Sequence, residues 1–85
     1  NKVIYKDSTF IIQVVGGPNE RTDFHVNQSD EWFYQLEGSI FLRTINQKGK
    51  FEDIHLNAGD IFLLPAGVPH SPQRSEGSIG LVIEK

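Results

Sequence analysis

The sequence predicts an all-β domain, a sandwich or barrel of about eight short strands. Three observations lead there. Apolar and β-branched residues come in short bursts, turn-forming residues separate the bursts at close intervals, and no window sustains a helical apolar stripe through three turns.

Taken in order, the expected strands are Val3 to Tyr5, Phe10 to Val15, Thr22 to Val26, Trp32 to Leu36, Ser39 to Ile45, Phe51 to Leu56, Ile61 to Leu64 and Ile79 to Ile83. Gly16-Gly17-Pro18-Asn19, Glu37-Gly38, Asn46-Gln47-Lys48-Gly49, Asn57-Ala58-Gly59-Asp60 and Pro65-Ala66-Gly67 supply the reversals, each with a residue suited to positive φ or a fixed turn. On the fifth strand Phe41, Arg43 and Ile45 share one face and Ile40, Leu42 and Thr44 the other, so both faces read as largely covered. No repeat, low-complexity tract or linker interrupts the chain, and residues 1–85 read as one unit.

A chain of 85 residues buries only roughly 60–65% of its unfolded surface, which makes for a thin core and leaves room for a homodimer or for flanking chain. The net charge of −3 lacks the concentrated basic stripe that phosphates require, so no nucleic-acid partner is expected. Cysteine is absent, which excludes disulfides, thiolate metal sites and a cysteine nucleophile; any metal must be held by nitrogen and oxygen. No apolar stretch approaches the length of a membrane span and no signal peptide is evident, so the chain reads as cytoplasmic, with no membrane partner.

His25, Glu31 and His70 carry the chemistry. Two imidazoles and a carboxylate can bind a divalent metal on one face and leave its other positions open, the ligand set of oxygen-activating non-haem iron sites. Gly59-x5-Pro65-x-Gly67-x2-His70 matches the second motif of the cupin superfamily at each of those positions, and His25-x-Asn27-x3-Glu31-x6-Gly38 matches the first less completely. Asn27 stands where many cupins have a further histidine, and Arg74 where many have asparagine. Within the superfamily the chain resembles the 3-hydroxyanthranilate 3,4-dioxygenases. The likeness runs through Val15-Gly16-Gly17-Pro18-Asn19-Glu20-Arg21-Thr22-Asp23-Phe24-His25, Glu31-Trp32-Phe33-Tyr34-Gln35, Phe62-Leu63-Leu64-Pro65, Val68-Pro69-His70-Ser71-Pro72-Gln73-Arg74 and Gly80-Leu81-Val82-Ile83-Glu84.

The resemblance implies a single cupin-type β-barrel, jelly-roll-like, truncated at both ends relative to the usual length of the family. It also implies an Fe(II) enzyme of tryptophan catabolism, in the kynurenine pathway. Its substrates would be dioxygen and 3-hydroxyanthranilate, which chelates iron through its phenolic oxygen and amine. The implied product is 2-amino-3-carboxymuconate semialdehyde, which cyclises to quinolinate, a precursor of NAD. In that reading His25, Glu31 and His70 ligate the metal, Arg21 and Arg74 hold the substrate carboxylate by bidentate pairing, and Glu84 takes the hydroxyl proton. Both arginines lie four positions from a ligand histidine, an even offset that keeps a side chain on one side of an extended strand, and the same parity puts Asp23 beside His25.

Blander readings stand beside these. His55 reads as an ordinary surface or core histidine, Asp30-Glu31 as a solvated acidic pair, Arg21 and Arg74 as members of surface ion pairs, and Glu84 as an exposed residue near a chain end. Trp32, Phe33, Tyr34, Phe62 and Leu64 read as packing residues, some of which could line a ring pocket. The glycines read as turn formers, and Gly16-Gly17-Pro18 is no phosphate loop, since neither the lysine nor the helix follows. Two functional alternatives remain at this stage: a non-catalytic cupin metabolite-binding module, and a cupin dioxygenase for a different hydroxylated aromatic acid. The donor set by itself also accommodates manganese, nickel or copper.

Overall fold

The computed structural model describes residues 2–6, 10–19 and 22–84. Eight strands run β1 (Lys2–Lys6), β2 (Ile11–Gly16), β3 (Glu31–Glu37), β4 (Ile40–Ile45), β5 (Phe51–Leu56), β6 (Ile61–Leu64), β7 (His70–Arg74) and β8 (Ile79–Glu84). They form two antiparallel sheets, β1-β2-β8-β3-β6 and β5-β4-β7, and the described residues include no helix. None is therefore long and apolar enough to cross a membrane.

Period-two patterning explains how the sheets meet. Phe33 on β3, Ile40 and Leu42 on β4, Leu56 on β5, Leu64 on β6, Val82 on β8 and Val15 on β2 all turn inward and form the core. Leu42, at 0% exposure, is its most enclosed member. Thr44 completes the inward row of β4 by donating from its hydroxyl to Glu52 O at 3.1 Å, so its polar atom is satisfied.

The expectation that β4 is covered on both faces is not met. Phe41 and Ile45 are only half-buried and Arg43 is exposed, its Nε donating to Asp53 Oδ1 at 3.0 Å across the outer surface. The outside of the larger sheet is apolar instead: Ile12, Ile83, Trp32 and Leu63 register in one cross-strand row, and Val14, Leu81, Tyr34 and Ile61 in the next. Trp32 and Tyr34 therefore point away from the interior.

One expected strand is replaced by another. Thr22 to Val26 forms no strand; it contributes a single rung in which His25 N donates to His70 O at 2.8 Å and His70 N to His25 O at 2.9 Å. A second isolated rung joins Asn19 to Arg74. The rungs stand four residues apart on β7 but six apart on the facing segment, a register difference of two. The unforeseen strand is β7 itself, which follows Pro69 and carries Pro72 at its middle position. Pro72 is tolerated because, among the described residues, β7 is an edge strand whose one ladder is with β4, where Pro72 faces Leu42.

Turn chemistry matches the expected reversals. Gly38, Gly49, Gly59 and Gly67 all adopt positive φ. Asn46 Oδ1 accepts from the amides of Lys48 and Lys50 at 2.9 and 3.0 Å, fixing the β4–β5 hairpin. The X-Pro peptide Gly17-Pro18 is cis. Gly17 permits a close approach there, since a Cβ would sit 2.1 Å from Ser75 O.

Candidate metal centre

Three elements bring the candidate residues together. Glu31 opens β3 with its side chain inward and sits directly opposite Glu84 across the β3–β8 ladder. His70 opens β7, and even offsets along that strand put His70, Pro72 and Arg74 on one wall. His25 comes from the loop before β3, tied to His70 by the reciprocal backbone rung. That loop is anchored further by Ala66 N donating to Asp30 Oδ1 at 2.9 Å and Gly67 N to Asn27 O at 2.9 Å. The turn after β6 thus holds the loop that carries the first histidine.

His25, Glu31, His70, Arg74 and Glu84 all line one cavity of ≈ 310 Å³, with Gln13, Asn27, Val15, Phe33, Pro72 and Val82 completing its wall. Arg21 lies outside the described residues. Two of the solvated readings fail: Glu31 is 7% exposed and Arg74 9%. Asp30 is exposed, as expected of a surface acid, and spends its carboxylate on the β6–β7 turn. Phe33 meets the His70 ring edge-on, with centroids 6.4 Å apart. Phe62 and Leu64 line a different cavity, bounded by Thr44 and Val68, and His55 sits on the outer face against Phe41 at 5.5 Å.

His70 is set up as a ligand. A carbonyl can only accept, so the 3.0 Å contact between His70 Nδ1 and Val68 O puts the ring proton on Nδ1 and leaves the Nε2 lone pair facing the cavity. Nε2 then stands 3.2 Å from Glu31 Oε1, two electron-pair donors face to face, a geometry that calls for a shared proton or cation. His25 stands further out. Its ring centroid is 6.1 Å from that of His70, its side chain is 45% exposed, and its Nε2 lies 3.7 Å from Asp23 Oδ2, the neighbour expected from strand parity. Among the described residues no three histidine or carboxylate side chains converge tightly enough to hold an ion as they stand. The donor set nonetheless fits a divalent ion of intermediate hardness: one buried nitrogen–oxygen pair is formed, and a second imidazole borders the same cavity.

The electrostatics of Glu84 follow from its place. Burial raises its carboxyl above the ordinary range, the negative charge of Glu31 pushes the same way, and the hydrogen bond from Gln13 and, when its ring is doubly protonated, the charge of His70 pull it partly back. Gln13 Nε2 donates to Glu84 Oε1 at 3.2 Å, while Asn27 Nδ2 donates to Glu31 Oε1 and, at 3.5 Å, to Glu84 Oε2. Sequence reasoning missed Gln13. Its one signal was a polar residue sharing the parity of Ile11 and Val15 within an apolar run.

Two sheets enclosing a histidine–carboxylate cavity define the cupin architecture. The fold superposes on a cupin-2 domain protein from Shewanella frigidimarina with a TM-score of 0.76, at 24% identity over 99% of this chain and 76% of the other. It superposes on a hydroquinone 1,2-dioxygenase solved in complex with Fe3+ with a TM-score of 0.83, at 24% identity over 98% of this chain and 26% of the other. Within the cupins, the chain belongs to the 3-hydroxyanthranilic acid dioxygenase family, whose model matches residues 1–85. A 3-hydroxyanthranilate 3,4-dioxygenase of Xanthomonas euvesicatoria is 58% identical over all 85 residues, and one of Bacillus thuringiensis 53%. The chain spans about half the length of these relatives, 47% and 48% respectively.

Proposed function

We propose that residues 1–85 form a single cupin domain carrying the catalytic site of an Fe(II)-dependent dioxygenase that opens the ring of 3-hydroxyanthranilate. The observation that supports this most directly is the meeting of His25, Glu31, His70, Arg74 and Glu84 on one cavity from four separate parts of the chain. His25, Glu31 and His70 would hold the metal. Bound there, a ferrous ion supplies adjacent open positions and an electron path between a chelating substrate and dioxygen.

The protein's own residues do the rest. Arg74, largely enclosed and on the His70 side of β7, offers a planar fork to the substrate carboxylate, and Arg21 is proposed as its companion. Glu84 takes the proton from the ring hydroxyl as substrate binds; its raised affinity for protons suits a base working nearer to neutrality. Phe33, Val15 and Val82 give the aromatic ring an apolar wall. Both oxygen atoms of dioxygen enter the product as the carbon–carbon bond beside the hydroxyl-bearing carbon breaks, so no external reductant is consumed. The product, 2-amino-3-carboxymuconate semialdehyde, closes without an enzyme to quinolinate, which leads to NAD.

Anaerobic loading with ferrous iron, followed by substrate and air, tests the reading. Stoichiometric oxygen uptake with the rise of the semialdehyde absorbance is expected. A folded, iron-loaded protein that consumes no oxygen with this substrate would remove the proposal.

A further inference from the structure

Glu31 and Glu84 occupy directly opposed positions on neighbouring strands and line the same cavity. Like charges placed so repel. Besides Arg74 and His70 on the opposite wall, two neutral amides reach these carboxylates. Asn27 Nδ2 donates to Glu31 Oε1 and to Glu84 Oε2, and Gln13 Nε2 donates to Glu84 Oε1 at 3.2 Å, so each oxygen of Glu84 has its own donor. Ionised carboxylates only accept, which fixes the amino end of each amide toward them. An amide pair orients two carboxylates without adding a positive charge of its own, so it does not compete with a divalent cation for them.

We infer that Gln13 and Asn27 are positioning residues with separate duties. Asn27 holds Glu31 in its ligating orientation and ties it to Glu84, and Gln13 sets the orientation of Glu84 from the neighbouring strand β2. The inference rests on the proposed function for the role of Glu84, and on Glu31 as a ligand. The chain positions agree with it: Asn27 lies between His25 and Glu31 in a loop pinned by the β6–β7 turn, and Gln13 faces Val82, two residues before Glu84.

Leucine fills a similar space to either amide without hydrogen bonding, so Asn27→Leu and Gln13→Leu in the whole protein provide the test. Metal affinity is read on the apo-protein by competition between a chelator and Fe(II) or Mn(II) alone. Outer residues that orient ligands typically contribute roughly 10- to 100-fold in metal affinity or activity. Asn27→Leu is expected to weaken metal binding by about 10-fold or more on that scale. Gln13→Leu should leave metal affinity nearly unchanged, lower kcat at saturating metal with KM little altered, and show the Glu84 carboxylate turned in its crystal structure. Equal losses of affinity, kcat and melting temperature in both variants would reduce the amides to packing and overturn the inference, as would no change in either. If the wild type fails to turn over 3-hydroxyanthranilate, the metal competition and the Glu84 orientation still decide it without reference to activity.

Discussion

Replacing Arg74 by alanine tests substrate recognition at a single atom group. Arg74 is 9% exposed and lies on the wall shared with His70. Its backbone is fixed independently of its side chain, since Arg74 N donates to Asn19 Oδ1 at 2.7 Å and Asn19 N to Arg74 O at 3.1 Å. Truncation should therefore remove the fork without moving β7. A hydrogen bond to a charged group contributes about 1.5–3 kcal/mol, which corresponds to roughly 10- to 150-fold in KM for a substrate that carries the carboxylate. Steady-state kinetics with 3-hydroxyanthranilate and with 2-aminophenol, which keeps the hydroxyl and amine but lacks the carboxylate, separate recognition from general damage. The loss should appear with the first substrate and vanish with the second, while a melting curve near that of the wild type shows the variant folded. Equal losses with both substrates, or an unchanged KM for 3-hydroxyanthranilate, would refute the carboxylate role.

Glu31→Gln keeps the shape of the buried His70 partner but removes its charge, and a chelator competition should show metal affinity falling by at least about 10-fold, in line with the loss of a charged donor. Glu84 has a raised proton affinity in the fold, so its neutral form favours the native state: that contribution is complete below the ordinary carboxylate range and is lost as pH rises through the shifted value. Denaturant titrations across that window should accordingly show a shallower decline in stability for Glu84→Gln than for the wild type. The same variant should lose the ascending limb of the kcat/KM profile against pH, because activity that depends on deprotonated Glu84 rises with pH in the wild type. Leu42→Ala empties the most enclosed site of a small core and should cost about 2–5 kcal/mol by equilibrium unfolding, a large part of the stability of a domain this size.

Strand patterning made most of the fold legible. Alternating bursts such as Trp32 to Leu36 and Phe51 to Leu56 carry their own periodicity, and the structure places strands there. Thr22 to Val26 has the same composition but lacks a partner in register, while His70 to Arg74 has the partner but carries Pro72. Pairing is a property of two segments, so neither outcome could be read from one. In the site, motif spacing singled out His25, Glu31 and His70, and these border one cavity together with Arg74 and Glu84. Gln13 was invisible because its hydrogen bond to Glu84 spans 71 positions and depends on the β2–β8 ladder. The donor role of Asn27 was hidden too; its type announced a missing fourth ligand, but not which carboxylates its amide would reach.

The reciprocal backbone rung between His25 and His70 has a mechanical meaning. It joins the two backbones without engaging either ring, so the placement of the two α-carbons is set independently of what the imidazoles bind. The inner partners are sealed, with side chains 4% exposed for His70 and 9% for Glu31, and His25 is 45% exposed. Of the three side chains, His25 is thus the one that meets bulk solvent, while the His70–Glu31 pair lies behind it.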